Sequence, residues 1–456
     1  MLEVIILAAG EGKRMNSSKP KVLQPIGGRP MLAHLLDTVR SLRPDQIRVV
    51  IGSGADQVRQ ALAAPDIDWV LQAERLGTGH AAQQALVQVE SDARVLILPG
   101  DMPLVRARTL DQLVGTDADL AVLSFIADDP TGYGRIVRDQ DGSVSAIREQ
   151  KDASEAERGI NEVNSGVMFA RAGDFTDWLT QVGADNSQGE YYLTDCIGIA
   201  ATGGRRVDAV IADQADELLG ANDRAQLADL EQIYQGRARQ ALFEQGATLP
   251  DPDSVQVRGQ VRCGRDVLID TGVVLNGRIQ LGDGVSIGPG CVLTDCELAA
   301  GTRLEPYCVL EGARTTGACS VGPFARLRPG TVLAKDVKIG NFVETKNASF
   351  AAGSKASHLS YVGDAEVGLR ANLGAGTITC NYDGANKHRT TIGADAFIGS
   401  NTALVAPVNI CDRATIGAGS VISQNAPADS LTVARARQRT IPGWRRPAKK
   451  KKTDPQ

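Results

Sequence analysis

The chain has 456 residues, enough for two or three domains with their own cores, and 43% hydrophobic content with 49 glycines is typical of a turn-rich soluble protein. Eight cysteines without a C-x-x-C pair favour reduced thiols over a disulfide framework or a zinc site. The net charge is −5, although the chain ends in the basic stretch "WRRPAKKKKTDPQ", which we expect to be a solvated tail. Because the rest of the chain is acidic, we do not expect a nucleic-acid binder. The sequence has no membrane-length apolar run and no signal peptide, so we expect a cytoplasmic protein without membrane insertion.

The first half alternates short apolar runs with amphipathic stretches. Helical spacing occurs in "MLAHLLDTVRSL" and "GHAAQQALVQVE", and strand–helix alternation predicts a mostly parallel sheet covered by helices on both faces. Ligands of such sheets bind at the carboxyl ends of the strands, so the loops in "LAAGEGKRM", "LQAERLGTGHA" and "LILPGDMPL" should converge on one rim. The predicted strands are EVIILA (3–8), IRVVIG (47–52), IDWVLQ (67–72), RVLILP (94–99) and DLAVLSF (119–125).

The stretch "LAAGEGKRM" has the glycines and cations typical of a phosphate-binding loop, but it matches neither the P-loop motif nor the dinucleotide-binding motif. A strand followed by a Gly-rich turn still forms an anion-binding concavity, to which Arg14 and Lys21 add charge; a simple βα turn is the alternative. Asp101, directly after "VLILPG", is a candidate Mg²⁺ ligand or a turn cap. Asn222 could supply an amide oxygen to the ion or cap a helix.

From Asn222 to about Gln245 the apolar residues have helical spacing, and after this segment aliphatic residues recur every six positions. We therefore expect domains at 1–224 and 246–456, joined by a linker helix at 225–245. Stacked inward aliphatics with small residues at the turns predict a parallel β-helix, for which a right-handed connection is the default. The inward positions are Val257, Cys263, Ile269, Leu275, Leu281, Ile287, Leu293, Leu298, Leu304, Leu310, Val321, Leu327, Leu333, Ile339, Ile392, Ile398, Leu404, Ile410, Ile416 and Ile422.

The period breaks at Gly340–Tyr361 and at Thr377–Thr391, where the text turns polar. We expect both stretches to be loops that leave the regular coil, and such loops commonly carry function. The first contains His358, whose side chain suits proton transfer near neutral pH, although a histidine in a polar loop is more commonly a plain surface residue.

Several motifs resemble known families. "LAAGEGKRM", "KPKVL", "LQAERLGTGHA" and "PGDMPL" together resemble the sugar-nucleotide pyrophosphorylases, and the second half resembles the hexapeptide-repeat acyltransferases, whose solenoid is left-handed. Both halves in this order, with "GAGTITCNYDGANK" and "GPFARLRPG", resemble the bacterial bifunctional N-acetylglucosamine-1-phosphate uridyltransferase and glucosamine-1-phosphate N-acetyltransferase family nearly end to end. The resemblance implies an α/β plus all-β fold: a Rossmann-like nucleotidyltransferase domain, the linker helix and a left-handed parallel β-helix.

The resemblance implies that the first half transfers a uridylyl group from UTP to N-acetylglucosamine 1-phosphate with Mg²⁺ as cofactor. Asp101 and Asn222 would bind the ion. The implied nucleotide and sugar contacts are Leu7, Ala8, Ala9 and Gly10 for uracil and ribose, Arg14 and Lys21 for phosphates, Gln72, Gly77 and Thr78 for uracil, Pro99 and Gly100 on the rim, and Gly134, Glu149 and Asn164 for the sugar.

The resemblance implies that the second half acetylates glucosamine 1-phosphate from acetyl-CoA. His358 would be the general base, oriented by Glu344, and the Ala375 N–H would stabilise the oxyanion. Family members are trimers, so a homotrimer is implied. The remaining contacts are Arg328, Lys346, Tyr361 and Asn372 for the sugar phosphate, Ala375, Asn381, Tyr382, Ser400, Ala418 and Arg435 for acetyl-CoA, and Lys387 as a further phosphate partner.

Two residues depart from the family pattern: Lys13 stands where Thr is usual, and Pro99 stands where Tyr is common. Pro99 lacks a hydroxyl and a backbone donor, which puts a contact there in question. Three alternatives to a bifunctional enzyme of cell-wall precursor synthesis remain open: a pyrophosphorylase whose β-helix is a passive trimerising scaffold, a regulatory subunit that binds a sugar nucleotide without catalysis, and an enzyme for another nucleotide or sugar.

Overall fold

A computed structural model describes residues 1–449. Contacts between Cα atoms divide the chain into two compact units. The first unit contains Met1–Ala241 together with Val257–Gly259, and the second contains Leu242–Gln256 and the chain from Gln260 onward. The predicted basic tail lies outside the described residues from position 450 onward.

The first unit is an α/β structure that contains every helix of eight or more residues in the described chain. Its elements are β1 (Leu2–Ala8), β2 (Pro25–Ile26), β3 (Arg29–Pro30), α1 (Met31–Ser41), β4 (Gln46–Ile51), α2 (Ala55–Ala61), β5 (Ile67–Leu71), α3 (Thr78–Leu86), β6 (Arg94–Pro99), α4 (Ala107–Val114), β7 (Leu120–Ile126), β8 (Arg135–Arg138), β9 (Val144–Arg148), α5 (Glu155–Arg158), β10 (Glu162–Arg171), α6 (Ala172–Leu179), α7 (Asp195–Thr202), β11 (Val207–Ile211) and α8 (Arg224–Glu244), the last three residues of which belong to the second unit.

A nine-stranded sheet forms the centre of the first unit, with the main strand order β11-β7-β10-β6-β1-β4-β5. Neighbours in this order are parallel except for β10, which runs antiparallel to both β6 and β7. Strands β8 and β9 extend from β10 as an antiparallel pair. The prediction of a mostly parallel sheet is confirmed, and its five predicted strands match β1, β4, β5, β6 and β7 within two residues at each end.

The sheet is buried on both faces because its central strands are apolar at consecutive positions. In β6, Leu96 and Leu98 pack in one core with Leu35 of α1, while the intervening Ile97 packs in a second core with Ala82 of α3 on the other face. All of these side chains are fully buried. The alternation of strand side chains between faces thus produces the helix–sheet–helix layers expected from the sequence.

Helix α8 is anchored in the first unit next to the Gly-rich loop. Leu227 and Leu230 bury one face of the helix against Met15, the last residue of "LAAGEGKRM". Near the start of α8, the guanidinium of Arg224 donates to the carbonyl of Met15 at 3.0 Å. The amide of Gln226 donates to the Asp223 carboxylate at 2.9 Å, so Asp223 rather than Asn222 caps the helix.

The second unit consists of short parallel strands stacked in successive coils. Its strands, β12 to β37 in chain order, are Ala247–Thr248, Gln256–Cys263, Val267–Ile269, Val274–Leu281, Ser286–Ile287, Val292–Thr294, Glu297–Leu298, Arg303–Leu304, Val309–Glu311, Arg314–Thr315, Ser320–Val321, Arg326–Leu327, Val332–Leu333, Lys338–Asn341, Glu344–Phe350, Lys355–His358, Tyr361–Val367, Asn372–Leu373, Ile378–Cys380, Thr390–Ile392, Phe397–Ile398, Ala403–Val405, Val408–Ile410, Thr415–Ile416, Val421–Ile422 and Leu431–Thr432.

These strands form the predicted parallel β-helix. Each strand pairs with the strand one coil later, as Ser286 does with Arg303, and Lys338 with Lys355. A coil of 17 or 18 residues therefore holds three six-residue repeats. Every inward position predicted from the period of six is buried except Cys263, which is half-buried. Burying each aliphatic side chain contributes a stabilising free energy of about 1.5–3 kcal/mol, and this contribution is repeated along the stack.

One of the two predicted loops is wrong. Residues 340–361 remain within the coil, because Lys338 pairs with Lys355 and Lys355 with Asn372 at the ordinary 17-residue step. The period disappears from the sequence because a threonine takes an inward position: Thr345 is fully buried, and its hydroxyl lies 2.9 Å from that of Thr331.

The second break is an insertion that leaves the coil. The step from Asn372 to Phe397 is 25 residues, and the excess forms a projecting segment in which Tyr382 and Lys387 are bridged. The amide of His388 donates to the carbonyl of Asn381 at 2.8 Å and closes the base of this segment. We refer to residues 381–388 as the inserted loop.

All eight cysteines are free thiols. Among residues 1–449 no cluster of three or more His, Cys, Asp or Glu side chains could hold a metal ion. No helix within the same residues is long and apolar enough to cross a membrane.

Candidate active sites

A cavity of about 830 Å³ opens at the carboxyl ends of the central strands of the first unit, where the sequence predicted a ligand rim. Eleven residues predicted for the nucleotide and sugar site line it, whereas Ala8, Arg14, Gly100, Gly134 and Asn222 do not. Arg14 is exposed to solvent. The predicted residues that line the cavity are Leu7, Ala9, Gly10, Lys21, Gln72, Gly77, Thr78, Pro99, Asp101, Glu149 and Asn164.

Asp101 and Asn222 meet at one cation, the ammonium group of Lys21. Lys21 Nζ lies 2.5 Å from Asp101 Oδ2 and 3.0 Å from Asn222 Oδ1. The Lys21 and Asp101 side chains are each only 15% exposed. A carboxylate oxygen and an amide oxygen directed at one point are donors that Mg²⁺ accepts, so the residues fit the implied ion.

The Gly-rich loop places a network of charges along the cavity. The Glu11 carboxylate lies 3.1 Å from Lys13 Nζ and 3.0 Å from Arg75 Nη1, and hydrogen bonds from these two cations lower the pKa of Glu11. Gly12 has a φ of 62°, and a Cβ on it would lie 2.8 Å from the Cβ of Lys21. A side chain at position 12 would therefore displace Lys21.

Gly77 and Thr78 contact residues 191–193, a segment that was not predicted to belong to the site. The Gln72 amide donates to the carbonyl of Gly77 at 3.2 Å, and Thr78 Oγ1 accepts from the amide of Leu193 at 3.1 Å. A Cβ on Gly77, whose φ is 113°, would lie 2.5 Å from the carbonyl oxygen of Tyr191. Only glycine permits this approach.

The Glu149 carboxyl group marks the opposite part of the cavity. It accepts a hydrogen bond from the Thr194 hydroxyl at 3.1 Å, but burial outweighs this bond and raises the pKa of Glu149. Asn164 is nearly buried, and its amide N–H donates to the carbonyl of Gly134 at 2.8 Å. Gly134 thus supports two predicted sugar contacts from behind, because a Cβ on it would lie 3.4 Å from Glu149 Oε1.

Pro99 is the last residue of β6, as the predicted strand had it. It pairs with Leu7 at the end of β6, and the amide of the next residue, Gly100, donates to the Leu7 carbonyl at 2.9 Å. The proline ring faces a bulge in β10 between Asn164 and Met168, where a Cβ on Gly166 would lie 2.9 Å from Pro99 Cγ. Pro99 therefore contributes an apolar wall.

Several lining residues carried too little signal in the sequence to be selected. Two of them, Glu11 and Arg75, form an ion pair across 64 positions, and nothing short of the fold brings them together. The others that the sequence analysis did not select are Ala81, Gly166, Met168, Glu190, Leu193 and Thr194. Lys13, noted only as a departure from the family pattern, also lines the cavity.

In the second unit, the residues predicted around the acetyl group lie on one corner of the β-helix. Asn341 pairs directly with His358 on the next coil. The pairings Lys355↔Asn372, Asn372↔Phe397 and Phe397↔Thr415 carry the same corner position onward, three residues later, through Ala375, Ser400 and Ala418. We call the set Asn341, His358, Ala375, Ser400 and Ala418 the corner column.

His358 is held by a different residue from the one predicted. Its Nδ1 atom lies 2.6 Å from Oδ1 of Asn341, whereas Glu344 Oε1 accepts from Nη1 of Arg328 at 3.0 Å. Glu344 therefore pairs with a predicted phosphate ligand in this structure, because Arg328 faces it from the preceding coil. The His358 side chain itself is exposed.

The predicted sugar-phosphate ligands lie mainly on the next row of strands. Glu344 pairs with Tyr361 there, and Arg328 precedes Lys346 by one coil. The neighbouring Lys387 lowers the pKa of Lys346, because a second ammonium group nearby disfavours the charged form. Arg328, Lys346 and Lys387 form a cationic cluster, and Asn372 lies on the His358 row, paired with Lys355.

A buried carboxylate joins the cationic cluster to the inserted loop. Asp364 accepts hydrogen bonds from Nδ2 of Asn347 at 2.6 Å and Nδ2 of Asn381 at 2.5 Å. Burial opposes ionisation, but these bonds and the charges of Lys387 and Lys346 lower the pKa of Asp364. Asn381, predicted as an acetyl-CoA contact, is thus fixed at the base of the inserted loop.

The remaining predicted acetyl-CoA contacts lie at the surface. Tyr382 is 61% exposed on the inserted loop, with its hydroxyl donating to the Gly384 carbonyl at 2.6 Å. Arg435 Nη1 donates to the carbonyl of Ala418 at 2.7 Å and so joins the end of the corner column. These residues form a long open surface rather than a closed pocket in the single chain.

Models of known protein families match segments in both halves of the chain. The MobA-like NTP transferase domain matches residues 4–158. The bacterial transferase hexapeptide (six repeats) matches residues 260–295, and the hexapeptide repeat of succinyl-transferase matches residues 389–424. These matches confirm the predicted nucleotidyltransferase domain and the hexapeptide-repeat β-helix.

Curated relatives match over essentially the whole chain. A bifunctional protein GlmU from Stenotrophomonas maltophilia is 55% identical, covering 98% of this chain and 99% of the relative. Proteins of the same name from Cupriavidus pinatubonensis and Stutzerimonas stutzeri are 53% and 54% identical, covering 99% and 98% of this chain and all of each relative. At this identity and coverage, the chain belongs to the GlmU family of bifunctional proteins.

Proposed function

We propose that this chain is a bifunctional enzyme that makes UDP-N-acetylglucosamine. The β-helix transfers an acetyl group from acetyl-CoA to glucosamine 1-phosphate. The first unit then transfers a uridylyl group from UTP to N-acetylglucosamine 1-phosphate and releases pyrophosphate. The product is a precursor of cell-wall polysaccharides.

For uridylyl transfer, the cavity of the first unit holds both substrates so that a sugar-phosphate oxygen attacks the α-phosphorus of UTP. Leu7 to Gly10, with Gln72, Gly77 and Thr78, bind the uridine part. Glu149 and Asn164 bind the sugar. Positioning and charge neutralisation supply most of the rate enhancement, because phosphoryl transfer needs little covalent chemistry from the protein.

Asp101 and Asn222 would hold Mg²⁺ in this reaction. The support is their convergence on the Lys21 ammonium within 3.0 Å, an arrangement in which both oxygens face one cation. An ion held by these residues would supply charge neutralisation at the phosphates. Lys21 and Arg14 add cationic contacts to the triphosphate once it enters.

For acetyl transfer, Nε2 of His358 takes the proton from the amine of glucosamine 1-phosphate as nitrogen attacks the thioester carbonyl. The Ala375 N–H stabilises the oxyanion, and the thiolate of CoA leaves. Arg328, Lys346 and Lys387 attract the sugar phosphate and the phosphates of acetyl-CoA. The observation that carries this half is the corner column, which places His358 and Ala375 on adjacent coils.

The open surface around the corner column supports a trimeric enzyme. Tyr382 and His358 are exposed in one chain, and a neighbouring β-helix would enclose them. The hexapeptide repeats are consistent with such an assembly. Because UTP and acetyl-CoA are cytoplasmic metabolites, we place the enzyme in the cytoplasm, with small molecules as its partners.

The test is to follow thiol release from acetyl-CoA with glucosamine 1-phosphate, and pyrophosphate release from UTP with N-acetylglucosamine 1-phosphate. Wild type should perform both reactions. His358→Ala should lose at least about 100-fold of thiol release while retaining pyrophosphate release. If wild type releases thiol no faster than the enzyme-free reaction, the proposal of acetyl transfer is wrong and the β-helix is a scaffold. Equal failure of pyrophosphate release would leave a regulatory binding protein.

A further inference from the structure

His358 has one side-chain partner among the described residues, and that partner is neutral. The contact joins His358 Nδ1 to Asn341 Oδ1 at 2.6 Å. The two residues are 17 positions apart and lie at the same corner of consecutive coils, paired in register at the ends of their strands. The coil geometry rather than a flexible loop therefore fixes this contact.

The backbone restrains both residues. The amide of Leu359, next to His358, donates to the Asn341 carbonyl at 3.0 Å, and Leu359 has a φ of 48°. The Ser360 hydroxyl donates to the His358 carbonyl at 2.8 Å. With its backbone bonded on both sides, His358 presents its ring to Asn341 without a rearrangement of the chain.

The chemistry of the contact determines the state of the imidazole. A carboxamide oxygen only accepts hydrogen bonds, so the proton between the two residues belongs to Nδ1. In a neutral imidazole with Nδ1–H, the lone pair is on Nε2, the nitrogen directed away from Asn341. The opposite tautomer would carry a proton on Nε2 and could not accept one from an amine.

We propose that Asn341 is a positioning residue for acetyl transfer: its carboxamide oxygen holds His358 in the Nδ1–H tautomer and leaves Nε2 free to accept the substrate proton. This inference rests on the proposed function of the β-helix. Asn341 orients the ring without a charge, whereas a carboxylate would stabilise the imidazolium and keep more of His358 protonated at neutral pH.

Glu344, the carboxylate expected in this role, is engaged elsewhere. Its Oε1 atom accepts from Arg328 at 3.0 Å, and both side chains are about one-third exposed. Other charges in this region belong to Lys346, Lys387 and Asp364, which interact with one another on the next row of strands. Asn341 is therefore the residue whose replacement isolates the orientation of His358.

The experiment compares Asn341→Ala and Asn341→Asp in the full-length chain, with Asn409→Ala as a matched control. Asn409 is an exposed asparagine on another coil of the same β-helix. We expect Asn341→Ala to lower kcat for thiol release by about 10- to 100-fold with little change in KM, because ring orientation affects the proton transfer. Asn341→Asp keeps an acceptor and should retain more activity, with the basic-form limb of its pH–rate profile moved to higher pH.

The tautomer is read independently of turnover from ¹⁵N shifts of histidine-labelled enzyme, which contains only four histidines. His358 is assigned by its loss in His358→Ala. At a pH where the ring is neutral, wild type should have a protonated Nδ1 and an unprotonated Nε2, and Asn341→Ala should show a mixture of tautomers. Thermal unfolding of the full-length chain, followed by circular dichroism and compared with wild type, reports whether the β-helix of each variant is folded.

A protonated Nε2 in wild type, or an Asn341→Ala variant with the wild-type tautomer and kcat, would overturn the proposal. A wild type that releases no thiol but has the expected tautomer would contradict the proposed acetyl transfer instead. The two failures are therefore distinguishable.

Discussion

The ammonium group of Lys21 lies 2.5 Å from Oδ2 of Asp101, in a contact between residues 80 positions apart. The same ammonium is 3.0 Å from Oδ1 of Asn222. Without a divalent ion, the positive charge of Lys21 compensates the Asp101 carboxylate at the end of a buried strand. A Mg²⁺ ion held by these two oxygens, as proposed, would therefore compete with Lys21 for them until a triphosphate offered Lys21 another partner.

Replacing Asp101 with Asn should selectively inactivate uridylyl transfer. The change removes the only negative charge of the pair Asp101 and Asn222, so we expect pyrophosphate release to fall by about 100-fold or more at 1 mM Mg²⁺. Thiol release should stay within a factor of two. Partial recovery at higher Mg²⁺ would support a metal-binding role, whereas equal loss of both activities would indicate misfolding.

Replacing Lys21 with Met should strengthen metal binding in the absence of nucleotide. Removal of the competing ammonium should raise the affinity for Mn²⁺, measured by electron paramagnetic resonance, while weakening UTP binding by about 10-fold for the loss of one phosphate contact. Lys13→Met is the matched control, because Lys13 lines the same cavity with its side chain 81% exposed. Unchanged Mn²⁺ affinity in Lys21→Met would contradict the competition.

Replacing Glu149 with Gln should stabilise the free enzyme at neutral pH. Burial raises the pKa of Glu149, so ionisation costs free energy in the folded state but not in the unfolded state. The destabilisation is absent below the unfolded pKa of about 4.5, grows through the raised folded pKa and is complete above it. Thermal unfolding should therefore give a higher Tm for Glu149→Gln at pH 7.5 and equal Tm values near pH 4.

A weaker sugar contact should accompany this gain in stability. We expect a higher KM for N-acetylglucosamine 1-phosphate in Glu149→Gln, with the KM for UTP nearly unchanged. A lower Tm at pH 7.5 would be inconsistent with a carboxylate penalised by burial.

Replacing Gly77 with Ala should separate a steric clash from backbone strain. The added Cβ would lie 2.5 Å from the Tyr191 carbonyl oxygen at a φ of 113°. We expect a destabilisation of about 2–4 kcal/mol in denaturant unfolding and a loss of UTP affinity. Gly142→Ala is the control: its φ is 85°, but a Cβ there meets no atom within 4 Å, so it should cost only about 1 kcal/mol. Equal effects of the two variants would exclude the clash.

Replacing Lys387 with Ala should raise the pKa of Lys346. Lys387 is the main cause of the lowered pKa at Lys346, and removing it leaves the ammonium group with less repulsion. The shift can be followed by NMR of ¹³C-methylated lysines in the full chain, assigned with Lys346→Arg. The KM for acetyl-CoA should rise by about 5- to 10-fold for one lost phosphate contact. A pKa of Lys346 unchanged from wild type would show that the two ammonium groups do not interact in solution.

The sequence allowed most of the fold to be predicted where one repeated physical rule dominates. The inward aliphatics of the β-helix follow a strict period, and the central strands such as β6 are continuous apolar runs. Strand β10 was missed because it is antiparallel, contains Gly166 at a φ of 84° and has a bulge after Asn164. Residues 340–361 were mistaken for a loop because buried Thr345 hides the coil from a search for aliphatics.

The site was predictable where short motifs carry it and unpredictable where contacts cross the fold. Lys21, Asp101 and Asn222 were selected one by one, and the structure brings them together. The contact between Asn341 and His358 depends on the length of a coil, which the sequence alone obscured at the break in its period. The domain boundaries at 224 and 245 stay predictions.

The residues of the corner column are evenly spaced along the β-helix, because each lies one strand spacing from the next. From Asn341 to Ala418 there are four steps, which at about 4.8 Å each extend over roughly 19 Å. An extended acyl carrier that bound along this corner would meet one residue of the corner column per coil. Inserting or deleting a whole coil would therefore change the distance between the residues that contact the carrier by one strand spacing. The local geometry around each of these residues would stay the same.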